Sequence, residues 1–340
     1  MKRIKVTATI LGASVALSVL LSGCGKSGTN TSSGSKQLTT VRVGVMSDSV
    51  SEYVPIIGKN QKIFQKYGLD VQSTAFAAGI NTVDAVTLNQ MDFGMAADFA
   101  ILNRFATTGK SDLRILAVTN VSDLNSDAGY KFYAKGLTSI KELAGKSIVV
   151  QKGTVGEYWI AKLLDKAGVS ASSVKLLPVG SPQEGVAIVQ SGQAVGMWAS
   201  GKAAQALTPL SGIKSIADLK TLNAPTVSVE VSTNSYLTKN KTTAENFLKA
   251  YNDVYSFINK NPEKAAEILQ NANNIPKEQA LLNLKASQNI IQFKQQNIDL
   301  LDQINAWGQS QGLFKNKVDV RNFLNLDALK AVFPNQVSYK

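Results

Sequence analysis

The sequence predicts an α/β protein built as two lobes. Strand and helix patterns alternate from residue 41 onward, and the same alternation begins afresh after residue 135. The 340-residue chain also exceeds what one hydrophobic core usually holds. Hydrophobic residues make up 44% and aromatics 7%, enough to pack both cores without help from disulfides.

The elements follow in order. Val41–Val45 alternates as a strand and ends at Met46-Ser47-Asp48-Ser49. A helix is expected over Val54–Lys66, stopped by Gly68, and a second strand over Asp70–Phe76. Ala77-Ala78-Gly79-Ile80-Asn81 turns into a helix over Thr82–Asn89. A short strand at Phe93–Met95 leads to a helix over Asp98–Thr107. The all-apolar run Ile115–Val118 predicts a strand covered on both faces.

The second set opens with Ser139-Ile140-Lys141-Glu142, a capping-box pattern before a short helix that stops at Gly145. Strands are predicted at Ser147–Val150, Val174–Leu177 and Val195–Trp198. Two more capping boxes, Thr154…Glu157 and Ser181-Pro182…Glu184, start the helices between them. Thr226–Val231 alternates as a strand, and from Thr233 the pattern is helical almost to the end. Phe247, Leu248, Tyr251, Val254, Tyr255 and Ile258 form one apolar stripe, Pro262 starts the next helix, and Trp307 reads as core. The alternation predicts mostly parallel sheets. Extended crossings near residues 130–134 and 228–232 join residues 39–134 and 229–340 (lobe 1) to residues 135–228 (lobe 2).

The N-terminus carries a different signal. Lys2, Arg3 and Lys5 precede an apolar run, Ala8–Leu21, too short to span a bilayer comfortably and suited to a secretion signal over residues 1–23. Leu21-Ser22-Gly23-Cys24 resembles the bacterial lipobox, in which the cysteine receives a diacylglyceryl group and the peptide is cut just before it. Two acyl chains hold a protein to a membrane where one binds marginally. The alternative is an ordinary signal with a cysteine nearby by chance. Gly25–Lys36 has no apolar residue to bury, so residues 24–38 read as a lipidated, flexible tether on the extracytoplasmic face of the cell membrane.

Absences narrow the function. The chain has no histidine and only one cysteine, which excludes Ser-His-Asp and Cys-His nucleophiles and histidine metal sites. No enzyme activity, metal or cofactor is expected. The net charge is +12, of which the signal carries +3, and the lysines are scattered. With no basic stripe and no aromatic platform, nucleic acid is not an expected partner.

Several segments together resemble the substrate-binding lipoproteins of ABC importers for nitrate, sulfonates and taurine. They are Arg42–Val45, Phe76–Gly79, Met91–Gly94, Leu137–Lys146 and Lys152–Tyr158. The resemblance covers most of Val41–Leu269 and implies a two-lobed periplasmic-binding-protein-like (type II) fold with a hinge and a cleft. It further implies a monomer that captures a small anionic or zwitterionic solute. Aliphatic sulfonates or taurine come first, and nitrate or a pyrimidine-like solute next. A separate permease and ATPase take up the solute. A membrane-anchored sensor or surface-interaction protein on the same fold is the alternative.

The residues that match the family's ligand loops are Ser47, Ser49, Gly79, Ala97, Asp98, Thr154, Val155 and Tyr158. Such loops leave the carboxyl ends of strands, and helix N-termini there suit an anion. The chain departs from the family pattern at Trp198-Ala199-Ser200-Gly201-Lys202, leaving Trp198 as the candidate aromatic wall and Lys202 as a nearby cation. Each has a plainer reading: Thr154 as a helix cap, Asp98 as a charge facing a helix dipole, Gly79 as a turn, Trp159 and Trp198 as core. If Asp98 lines the cleft, it favours a zwitterion over a bare anion. Lipidation predicts that Cys24→Ala moves the protein from the membrane fraction to the medium. Unchanged membrane retention on fractionation contradicts it.

Overall fold

Val41, Val43 and Val45 are buried along the strand Thr39–Met46 (β1), as the alternation requires. The structure is a computed structural model that describes residues 37–339 except 48, 110, 127 and 128. The signal, Cys24 and nearly all of the tether lie outside the described residues. The residues from Gln37 onward cluster as one compact unit.

That unit contains two sheets. The first has six strands in the order β11 (Ser287–Gln292), β4 (Leu113–Ser122), β10 (Val227–Thr233), β3 (Phe93–Ala97), β1, β2 (Leu69–Phe76). The second has five, in the order β7 (Lys175–Pro178), β6 (Ser147–Val150), β8 (Gly196–Ala199), β5 (Lys131–Lys135), β9 (Ile213–Asp218). Among the described strands of the two sheets, β1 with β2 and β3, and β6 with β7 and β8, pair in parallel. The other pairings in both sheets are antiparallel, so the expectation of mostly parallel sheets holds only for these βαβ cores. The reason lies in the crossings. β5 and β10 each enter from the opposite sheet rather than through a βαβ crossover. The connection into β10 holds just the single helical turn Leu219–Leu222, too short to carry the chain back and set the strand parallel. The connections between sheets are therefore residues 123–130 and 219–226.

Two local departures have physical causes. The helix expected over Val54–Lys66 is two, Val50–Asn60 and Ile63–Lys66, broken at Lys62, whose φ is 53°. The break folds Phe64 back onto Gly58, where an added Cβ would meet the ring at 2.4 Å. β11 falls inside a stretch that reads as helical. It is an edge strand, rich in polar residues, and its pattern is set by its partner β4. The three capping acids also act one residue early. Ser139, Thr154 and Ser181 accept first-turn N–H groups, while Glu142, Glu157 and Glu184 accept from Thr138, Gly153 and Gly180, each ahead of the cap.

The core is closed by the helix Lys241–Lys260, whose predicted stripe is buried throughout. Phe247 stacks on Phe93 at 4.0 Å between ring centroids, and Tyr251 lies 4.1 Å from Phe247. Beneath these rings Glu230 of β10 is buried, with one carboxyl oxygen unpartnered and the unpartnered Tyr251 hydroxyl also buried. Burial pushes the Glu230 carboxyl from 4.5 up to about 8. The folded state thus favours the protonated acid. Its stabilising contribution is complete below about pH 4.5 and is lost as pH rises to about 8. Asp98, raised to about 7, acts in the same direction over a lower window. Glu230→Gln is expected to flatten the fall in denaturation midpoint between pH 7 and 8. An unchanged slope contradicts the assignment.

Candidate functional site

Two adjoining chambers lie between the sheets. The inner one has a volume of about 120 Å³ and the outer about 200 Å³. Met46, Ser49, Ala97, Tyr130, Val155 and Trp159 line both, so the chambers form one cleft.

The inner chamber is built from chain turns at strand ends. After β1, Ser47 N–H bonds the Phe76 carbonyl, and the Ser49 hydroxyl donates to the Met46 carbonyl. Ser49 then begins the helix Val50–Asn60. Ala78 and Gly79 begin the helix Gly79–Thr87 after β2, and Ala97 begins Asp98–Thr108 after β3. From the second sheet come Thr154 to Gly156, at the start of Val155–Ala167, and Pro182, the first residue of Pro182–Gln190. Five helix N-termini therefore meet at one cavity. No side chain caps the first turn in the helices starting at Val50 or Gly79. Their N–H groups and positive dipole ends suit an anion. Gly79 owes its place to close packing, since a Cβ there would stand 3.0 Å from the Ala96 backbone.

Among the described residues, no charged side chain lines the inner chamber. Its polar side chains are Ser47, Ser49, Gln151, Thr154 and the aromatic residues Tyr130, Trp159 and Trp198. The outer chamber differs: Asp123, Lys131, Asp218 and Lys220 line it beside Asn120, Ser228, Tyr255 and Asn283.

The sequence-predicted residues distribute as follows. Ser49, Ala97 and Val155 line both chambers, and Ser47, Gly79, Thr154 and Trp198 the inner one. Asp98 and Tyr158 line neither. Asp98 is fully buried behind the wall, where its carboxyl accepts the N–H of Phe99 at 2.7 Å and of Val227 at 2.8 Å. Burial raises that carboxyl to about 7 against the lowering effect of both bonds. Tyr158 stacks on Phe99 at 5.7 Å and meets Trp307 edge-on at 4.8 Å, joining a helix of the second sheet to the first. Burial lifts its hydroxyl to about 12. Lys202 is exposed and lines neither chamber.

Sequence reasoning placed Trp159 behind Trp198, yet Trp159 reaches both chambers. A signal existed, because Trp159 stands four residues after Val155 and shares its helix face. Met46, Gln151 and the residues of the 123–130 connection carry no motif.

The family model described as NMT1/THI5 like matches residues 54–265, more than half of the chain. The chain belongs to the NMT1/THI5-like family. A protein of Brucella abortus (strain 2308), provisionally named a binding protein, is 28% identical over 160 residues, 46% of this chain and 47% of that one. The chain thus spans about half the length of that relative. A protein of Brachyspira hyodysenteriae (strain ATCC 49526 / WA1), provisionally named an ABC transporter periplasmic binding protein, is 25% identical over 267 residues, 76% of this chain and 75% of its own.

Among solved structures, the alkanesulfonate-binding protein SsuA from Xanthomonas axonopodis pv. citri, bound to MOPS, superposes with a TM-score of 0.72 at 18% identity. The match covers 84% of this chain and 98% of that one. The desulfurization enzyme DSZB matches with a TM-score of 0.63 at 11% identity, over 87% and 99% of the two chains. At these identities the likeness is one of fold, and the fold carries both binding and catalysis. Among the described residues, no helix is long and apolar enough to cross a membrane.

Asp98→Ala leaves two buried N–H groups unpaired and is expected to cost about 3 kcal/mol in chemical denaturation. Asp98→Asn, which keeps one acceptor, is expected to cost about half. Equal and small losses contradict the structural role of the carboxyl.

Proposed function

We propose that this chain is the extracytoplasmic solute-binding component of an ABC importer and that it has no catalytic activity. It captures a small anionic or zwitterionic solute, sulfonates first and nitrate or pyrimidine-like solutes next, and delivers it to a membrane permease powered by a separate ATPase. The carrying observation is the convergence of five helix N-termini on a cavity that no charged side chain lines among the described residues.

The chemistry follows from that arrangement. Each helix end offers roughly half a positive charge, and the helices starting at Val50 and Gly79 add first-turn N–H donors that no side chain caps. Ser47, Ser49 and Thr154 add hydroxyls, so a sulfonate, nitrate or carboxylate is held by charge-assisted hydrogen bonds without a counter-ion. A dianion such as sulfate is poorly matched, since no full positive charge lies in the inner chamber to offset the second negative one. A zwitterion places its ammonium in the outer chamber, near Asp123 and Asp218, because Asp98 is already bonded behind the wall.

Capture without transformation fits the composition: there is no histidine, and the one cysteine is Cys24. The two sheets serve as lobes, with the connections 123–130 and 219–226 as the hinge. Solute bound to both sides favours a closed form, which docks on the permease. The names of the Brucella and Brachyspira relatives, and of the sulfonate-binding structure of the same fold, support this reading. Lipidated Cys24 holds the monomer to the outer face of the membrane.

Thermal denaturation tests the proposal with taurine, alkanesulfonates, benzenesulfonate, nitrate, pyrimidines and sulfate. A true solute at 100 times its Kd adds about 2.7 kcal/mol and raises Tm by a few degrees. Sulfate at equal ionic strength is expected to add almost nothing. No shift with any monoanion or zwitterion contradicts the receptor assignment.

A further inference from the structure

The cleft wall holds more aromatic and sulfur surface than a small inorganic anion needs. Tyr130 stands 4.8 Å from Trp159, and Trp159 stands 5.6 Å from Trp198, forming a row along the inner chamber. Tyr130 and Trp159 continue into the outer one. Tyr130 is 42% exposed on the connection between the sheets, whereas Trp159 and Trp198 are 3% and 8% exposed. Both indole N–H groups are buried without a hydrogen-bond partner. An indole nitrogen can only donate, and a buried donor left unpaired costs about 1–3 kcal/mol.

Methionine adds to the pattern. Of the five methionines in the chain, Met46 lines both chambers, Met95 the outer and Met197 the inner. Thioether sulfur is polarizable, makes favourable contacts with aromatic rings, and adapts to a guest's outline. Size agrees as well, since a cavity of about 150 Å³ is known to hold a benzene ring. The inner chamber of about 120 Å³ and the outer of about 200 Å³ together leave much space unfilled around nitrate or a two-carbon sulfonate.

We infer that the solute is a monoanion with an aromatic ring, such as an arenesulfonate or an aromatic carboxylate. Its ring lies against Tyr130 and Trp159, and its acceptor oxygens meet the helix N-termini. This inference rests on the proposed receptor function and narrows its substrate class. Acceptor oxygens satisfy donors that the protein itself leaves open, and the ring replaces water over apolar surface. An aliphatic sulfonate of two carbons satisfies the same donors but leaves the exposed ring of Tyr130 uncovered.

Isothermal titration of the purified protein with benzenesulfonate, benzoate, ethanesulfonate and taurine tests it, at one pH and constant ionic strength. At least one of the two aromatic anions is expected to bind tenfold or more tightly than ethanesulfonate and to change tryptophan emission. Trp159→Leu is expected to reduce that preference to threefold or less while ethanesulfonate still binds. If ethanesulfonate or taurine binds as tightly as the better aromatic anion, the aromatic inference fails and the receptor reading stands. If none of the panel binds, the aromatic inference fails, and the receptor reading is decided by the wider thermal-denaturation panel. The comparison on the unaltered protein decides the matter even if the variant does not fold.

Discussion

The arrangement depends on what Asp98 and Phe99 do at the start of one helix. The Asp98 carboxyl accepts the N–H of Val227, the first residue after the second connection, as well as the N–H of Phe99. The ring of Phe99 stacks on Tyr158, which belongs to a helix of the second sheet. Two neighbouring residues thus fasten the returning chain and the opposite helix to one point. Ala97, immediately before them, is held at the cleft surface as a consequence. Breaking either contact loosens the walls that the chambers need, even though neither residue touches the cavity.

Burying a carboxyl for this purpose is costly, and burial raises its pKa to about 7 despite the two backbone bonds. The same expense appears at Glu230, where burial raises the carboxyl to about 8 with no hydrogen bond to one of its oxygens. Glu230 lies in β10 and Asp98 begins the helix that follows β3, the two strands where the sheet changes from parallel to antiparallel pairing. At that seam the backbone satisfies the Asp98 carboxyl, whereas one oxygen of Glu230 has no partner. The first sheet therefore carries a pH dependence that its exposed charges do not explain.

Much of this was legible in the sequence where local rules decide the outcome. Val41 to Val45 alternates and is a strand. Ser181-Pro182 starts a helix, and the stripe from Phe247 to Ile258 is buried. Ser49, Ala97 and Val155 were identifiable because strand ends and helix starts carry their own residue preferences. Other features depend on distant partners. β11 is a strand only because β4 lies beside it, and β10 runs antiparallel because it arrives from the other sheet. Asp98 has the composition of a pocket acid, but Val227, far away in sequence, takes its second oxygen. Tyr158 and Trp159 are adjacent in a helix, and a rotation of 100° separates a bridge between the sheets from a cleft wall.

The central claim is that backbone amides at helix N-termini grip a guest between the two sheets. Hydrogen–deuterium exchange with and without a saturating monoanionic ligand tests it directly. The account predicts slower exchange at the first-turn amides following Ser49, Ala78 and Thr154, together with the connections 123–130 and 219–226. Protection confined to other surfaces, with these amides unchanged by a ligand that binds, would contradict it.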